Sequence, residues 1–121
     1  MKNKLVALIV DDSKLIAERL LNLLHETPNI EQAVLGYSYE EGKKLLDEKK
    51  IDVVLLDINL PDKSGVELLQ YIKKMEYPVK VIIVSNETNP LYKEICMKLG
   101  AFDYFDKSIE FEKLKDLIET L

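Results

Sequence analysis

The sequence predicts one α/β domain: a five-stranded parallel sheet with helices on both faces. Two observations carry this. Leu5 to Val10, Val53 to Leu56 and Val81 to Val84 are apolar throughout, as strands covered on both faces must be. Between and around them lie stretches of helical spacing, so strand and helix alternate five times, and that order selects a parallel sheet.

Taken in order, residues 5–10 form the first strand. From Ser13 the spacing turns helical, with Ile16, Leu20, Leu23 and Leu24 on one side, and fades before Pro28. Residues 32–37 read as a weaker, more polar strand. Ser38 with Glu41 three residues on has capping-box spacing and opens a helix through about Asp47. Residues 51–57 are the third strand. Leu60-Pro61-Asp62-Lys63-Ser64-Gly65 is a turn segment, followed by a helix carrying Val66, Leu68, Leu69 and Ile72. Residues 79–84 are the fourth strand. Asn89-Pro90 reads as an N-cap with proline in the first turn, and that helix ends near Gly100. Residues 101–105 are a short fifth strand. Ser108 is the expected cap of a last helix whose Phe111, Leu114, Leu117, Ile118 and Leu121 form an apolar stripe. The polar second and fifth strands suit the sheet edges, giving strand order 2-1-3-4-5, the flavodoxin-like (βα)5 doubly wound arrangement.

The 121 residues are expected to form one domain, 1–121, with 47% hydrophobic and 32% charged residues, an ordinary globular balance. A net charge of −5 with scattered lysines speaks against nucleic acid as a partner. No apolar run has membrane-spanning length, so no membrane is expected either. The single Cys96 cannot form an internal disulfide, and a cytoplasmic setting is the simplest expectation. Cys96 itself reads as a buried inert thiol, and His25, the only histidine, as a surface residue.

The chemistry should lie where the apolar runs end. The first runs into Asp11-Asp12, the third stops at Asp57 and the fourth at Ser85. In a sheet of this order, ligands bind beyond the strand carboxyl ends, where the winding reverses between strands 1 and 3. Three carboxylates brought together there need a counter-charge or a retained proton. An oxygen-only donor set suits Mg²⁺ better than zinc, with Mn²⁺ as an alternative. Read singly, Asp11 and Asp12 could be helix caps, and Lys107 a solvated surface charge.

Asp11-Asp12-Ser13, Asp57 followed by Leu60-Pro61 and Gly65, Ser85 after an apolar strand, and Gly100-Ala101 leading to Tyr104 and Lys107 occur here in order. With these motifs the chain resembles the CheY-like receiver domains of two-component response regulators over essentially its whole length. The resemblance implies that Asp57 takes a phosphoryl group from a phosphohistidine on a sensor histidine kinase or histidine phosphotransfer protein. It implies Mg²⁺ held by Asp57, by Asp12 directly, by Asp11 through water and by the backbone carbonyl of Asn59. Ser85 and Lys107 would contact phosphoryl oxygens, and Ser85 and Tyr104 would act as the switch. Output would pass to a protein target through the face made by the fourth helix, fifth strand and fifth helix. The family often pairs through that face, so a homodimer on phosphorylation is among the partners implied.

Asn59 and Glu87 stand where the family modulates hydrolysis of the acyl phosphate, and a short-lived mark is the expectation. Asn86, larger than the Ala or Gly usual after Ser85, works in the opposite direction by narrowing access. Ser108 stands where most receivers have proline after a cis bond, and a trans Lys107-Ser108 peptide is expected. The chain leaves no length for an effector after the fifth helix, so a stand-alone module that turns over its own phosphoryl group, not a multi-substrate enzyme, is the leading expectation. Two alternatives remain. One is a Mg²⁺-dependent aspartyl-phosphate phosphatase similar to haloacid-dehalogenase enzymes, although Asp57-Ile58-Asn59 lacks their second Asp. The other is a non-phosphorylated pseudo-receiver, although those usually lose an acid or the lysine kept here.

Overall fold

The computed structural model describes residues 4–107 and 111–121. Its elements are β1 (Leu5–Val10), α1 (Lys14–His25), β2 (Ile30–Gly36), α2 (Tyr39–Glu48), β3 (Val53–Leu56), α3 (Gly65–Lys74), β4 (Lys80–Ser85), α4 (Pro90–Lys98), β5 (Asp103–Asp106) and α5 (Phe111–Glu119). All strand pairs are parallel and the sheet order is β2-β1-β3-β4-β5, as the sequence predicts.

Alternation along the central strands builds two cores. Leu8, Val10, Val54, Leu56, Val81 and Ile83 face α2, α3 and α4, where they meet Leu46, Leu68, Leu69, Ile72 and Cys96. Ala7, Ile9, Val53, Leu55, Ile82 and Val84 face α1 and α5, where Ala17, Leu20, Leu24, Leu114 and Ile118 cover them. Burial on both faces explains why these runs carry no polar residue. Truncating one such side chain, Leu55→Ala for example, is expected to cost about 2–5 kcal/mol.

Several boundaries differ from the sequence reading. β2 starts at Ile30, because its ladder with β1 runs back to the Leu5–Ile30 pair. β3 is only Val53–Leu56, while Asp52 turns its carboxylate to the Val6 amide. Ser38 does cap α2, its hydroxyl accepting from the Glu41 amide, but Glu41 reaches back to the Tyr37 amide. The reciprocal capping box lies at α3 instead, between Ser64 and Glu67. Asn89 caps α4 and Gly100 ends it at φ +95°, a conformation that favours glycine. The expected Ser108 cap and the Lys107-Ser108 peptide fall outside the described residues.

Candidate functional site

The strand ladders bring the polar termini together. Val10 pairs with Leu56, and the Asp57 amide donates to the Val10 carbonyl at 2.9 Å, so Asp11 and Asp57 emerge side by side. Ser85 pairs with Asp106, and the Lys107 amide donates to the Ser85 carbonyl at 3.0 Å, which starts Lys107 from the same edge. A carboxylate oxygen from each of Asp11, Asp12 and Asp57 lies within 4.8 Å of the others. Asp11 and Asp57 are buried and Asp12 is exposed, so the cluster opens to water on the Asp12 side. Asp11 also accepts from the Ser13 amide at 2.9 Å through Oδ1, a local turn that aims its other oxygen inward.

Lys107 is the internal counter-charge. Its ammonium, only 6% exposed, lies 2.8 Å from Asp11 Oδ2 and 3.0 Å from Asp57 Oδ2. Burial by itself pulls this ammonium down, but its close contact with the Asp11 carboxylate and the charge of Asp57 outweigh it, and the group titrates above an ordinary lysine. The same burial pushes the Asp57 carboxyl above the ordinary range, more than Lys107 pulls it down. Among the described residues, three carboxylates face one ammonium in this crevice, a formal excess of two negative charges when all are ionised. An all-oxygen donor set with a net charge of that size and an open side fits a hard divalent ion that keeps some of its water.

Around this cluster the structure joins the other predicted residues into one chain of contacts. Ser85 is fully buried, and its hydroxyl accepts from the Glu87 amide at 3.2 Å. The Asn59 amide group donates to Glu87 Oε2 at 3.5 Å, across the mouth of the site, and the Asn59 backbone amide faces Asp57 Oδ1 at 3.4 Å. Tyr104 is half-buried against the α2–α4 core, and its hydroxyl reaches the Glu87 carbonyl at 3.5 Å. Burial raises the titration of that hydroxyl. Asn86 is exposed, as is His25, and Cys96 is buried with its thiol pushed up by burial.

Two groups escaped the sequence reading. Asp62, taken there as a turn residue, accepts from the Tyr39 and Glu40 amides at 2.8 and 3.0 Å. Tyr71 and Tyr77, which no sequence motif singles out, both donate to Asp47 Oδ1 at 2.5 Å. In each case the partner is more than twenty residues away, so no local spacing signals it. Among the described residues, no helix is long and apolar enough to cross a membrane.

Comparison with known proteins agrees with this geometry. A family model described as response regulator receiver domain matches residues 7–119. The sensory transduction protein LytR of Staphylococcus haemolyticus is 35% identical, over 94% of this chain and 44% of that protein. The protein-glutamate methylesterase/protein-glutamine glutaminase of Clostridium acetobutylicum is 33% identical, over 93% of this chain and 34% of its own length. The chain thus spans about a third to a half of the curated relatives it matches. A DNA-binding response regulator of the LuxR family from Staphylococcus aureus superposes with a TM-score of 0.87 at 27% identity, covering 96% of this chain and 97% of that one. A CheY-like receiver domain protein from Methanospirillum hungatei JF-1 gives 0.87 at 25% identity, covering 98% and 93%. Strand order, acid-lined sheet edge and a family match over nearly the whole chain lead to one conclusion: this chain belongs to the response regulator receiver domains, the phosphoryl-accepting signalling modules of two-component systems.

Proposed function

We propose that Asp57 is the phosphoryl acceptor and that the phosphohistidine of a sensor kinase or histidine phosphotransfer protein is its donor. The observation that carries this is the Lys107 ammonium lying between Asp11 and Asp57 in a crevice that keeps a negative excess. In the transfer, an Asp57 carboxylate oxygen forms the new O–P bond as the P–N bond to histidine breaks. The bonding pair stays on the imidazole nitrogen, and the product is an acyl phosphate. Mg²⁺, with Mn²⁺ as an alternative, would be held by Asp11, Asp12, Asp57 and the Asn59 carbonyl, and would neutralise charge on the phosphoryl oxygens. Lys107 supplies a second fixed cation at the Asp57 Oδ2 side. The reaction is the domain's own modification, not turnover of many substrates, and cytoplasmic protein partners fit it.

The same contacts suggest how the mark is read. If the Ser85 hydroxyl turns to the phosphoryl group, it gives up the Glu87 amide. That loosens the loop whose carbonyl holds Tyr104 and shifts the α4-β5-α5 face toward a partner-binding state, which includes pairing of two copies. Asn59 and Glu87, already hydrogen-bonded across the mouth, would orient the water that hydrolyses the mark.

Incubation with Mg²⁺ and acetyl phosphate, followed by intact mass spectrometry, tests the proposal. A transient gain of one phosphoryl group is expected, lost in Asp57→Asn and prolonged in Glu87→Ala. An adduct that persists in Asp57→Asn would place the acceptor elsewhere.

A further inference from the structure

The loop between β3 and α3 carries Asp57 at its start and Asn59 two residues on, so its position sets where two of the proposed metal donors lie. At its far end Gly65 packs so tightly that a Cβ there would collide with the Asp57 carbonyl oxygen, and the Gly65 amide donates to the Ile58 carbonyl at 2.7 Å. Those contacts tie the loop to itself. Beyond the packing of Leu60 on the core and the Asn59–Glu87 hydrogen bond, Asp62 ties its outer part to α2. Its carboxylate accepts from the Tyr39 and Glu40 amides, the first free donors of α2, and also from the Lys63 amide at 3.1 Å. Lys63 adds a second tie, its ammonium 4.7 Å from the centre of the Tyr39 ring.

The platform that receives these ties is itself closely seated. At Gly42 a Cβ would stand 3.0 Å from a Val10 methyl and 3.1 Å from a Leu68 methyl, so α2 lies directly on the strand that ends at Asp11. An unbroken path therefore runs from β1, through α2, to the loop bearing Asn59. The donor from α2 is a pair of backbone amides at a helix N-terminus, which favours an ionised carboxylate over any neutral side chain.

We infer that Asp62 is a positioning residue for the metal-binding loop: by seating residues 59–63 on the N-terminus of α2, it holds the Asn59 carbonyl and Asp57 at the spacing that a divalent ion requires. This rests on the receiver reading above. It goes further in assigning α2 a part in metal affinity, through contacts that reach neither the ion nor the phosphoryl group.

The alternative is that Asp62 only caps a helix. Ser38 caps the same helix end through its hydroxyl, which accepts from the Glu41 amide at 3.1 Å, and so provides the control. Mg²⁺ titrations followed by amide NMR should give Asp62→Ala an affinity about tenfold below wild type, the lower end of the range for outer contacts of metal sites. Asp62→Asn, which keeps the shape and one acceptor, should fall between. Ser38→Ala should lower the thermal midpoint yet bind Mg²⁺ within about twofold of wild type. Phosphorylation by acetyl phosphate should be slow in Asp62→Ala at low Mg²⁺ and recover at saturating Mg²⁺, which a general loss of structure would not allow. If Asp62→Ala fails to fold, Asp62→Asn and Ser38→Ala still make the comparison. Equal Mg²⁺ affinity in the Asp62 and Ser38 variants overturns the inference while leaving the receiver reading intact. A wild-type protein that binds no Mg²⁺ and takes no phosphoryl group overturns both.

Discussion

In the proposed reaction Lys107 would compete with a metal and assist a phosphoryl group, and those two roles predict opposite responses. Its ammonium sits against Asp11 and Asp57, the two buried acids of the cluster. Replacing it with the similarly long but neutral Met raises the negative excess, so Mg²⁺ should bind more tightly. Phosphorylation at saturating Mg²⁺ should nevertheless slow by about 10²–10³-fold, the usual loss when a fixed electrostatic partner of the transition state is removed. Mg²⁺ titration and phosphorylation kinetics on one Lys107→Met preparation check both signs, and weaker Mg²⁺ binding would refute the competition. At this scale the sequence was informative wherever function sits at a strand end. Asp11 and Asp57 directly follow, and Ser85 ends, strands that are recognisable by their apolar runs, whereas Lys107 follows the polar β5 and was singled out only through the family resemblance. Asp62 and Asp47 were not legible, because their partners come from other elements and an acid in a turn or on an exposed helix face looks the same with or without them.

At the scale of elements, the joints of α3 illustrate what pattern conveys and what it omits. Its apolar residues Leu68, Leu69 and Ile72 are spaced for one face and are buried as spacing requires. Its exit is not encoded so plainly: Glu76 takes φ 56°, in the left-handed region, where glycine is the usual choice. Glu76→Gly should therefore stabilise the protein by about 0.5–1 kcal/mol, the relief of strain exceeding the added freedom of the unfolded chain. Chemical denaturation measures it, and a loss of stability would mean that the Glu76 side chain contributes more than its backbone costs. The α2–α3 junction adds a pH dependence. Hydrogen bonds from Tyr71 and then Tyr77 hold the Asp47 carboxyl below its ordinary range. A carboxylate depressed in the folded state stabilises fully above its unfolded pKa and loses that contribution as pH falls through the folded value. Asp47→Asn should accordingly melt earlier than wild type at neutral pH, with the gap closing in acid below about pH 4. A gap independent of pH would locate the loss in packing.

For the whole molecule, the arrangement that makes a site also makes a weakness. The sheet directs its central strands at one edge, and among the described residues that edge collects Asp11, Asp12 and Asp57 around one ammonium. Like charges about 4 Å apart repel by about 1 kcal/mol in water and about 4 kcal/mol at an effective dielectric near 20. Removing one charge while keeping its shape should therefore stabilise the metal-free protein. Asp57→Asn leaves Lys107 paired with Asp11 at 2.8 Å, and a gain of about 1 kcal/mol is the expectation, toward the solvent-screened end of that range. Mg²⁺ should reverse the ranking. A ligand that binds only the folded state stabilises it by about 2.7 kcal/mol at a hundred times its dissociation constant, and wild type, with the full set of acids, should bind the ion more tightly than the variant. In EDTA, Asp57→Asn should melt above wild type; as Mg²⁺ is added, wild type should climb faster and the two thermal midpoints should cross. A variant that melts below wild type in EDTA would mean that Lys107 and the backbone amides already balance the cluster, and that affinity for the ion is not drawn from relief of repulsion.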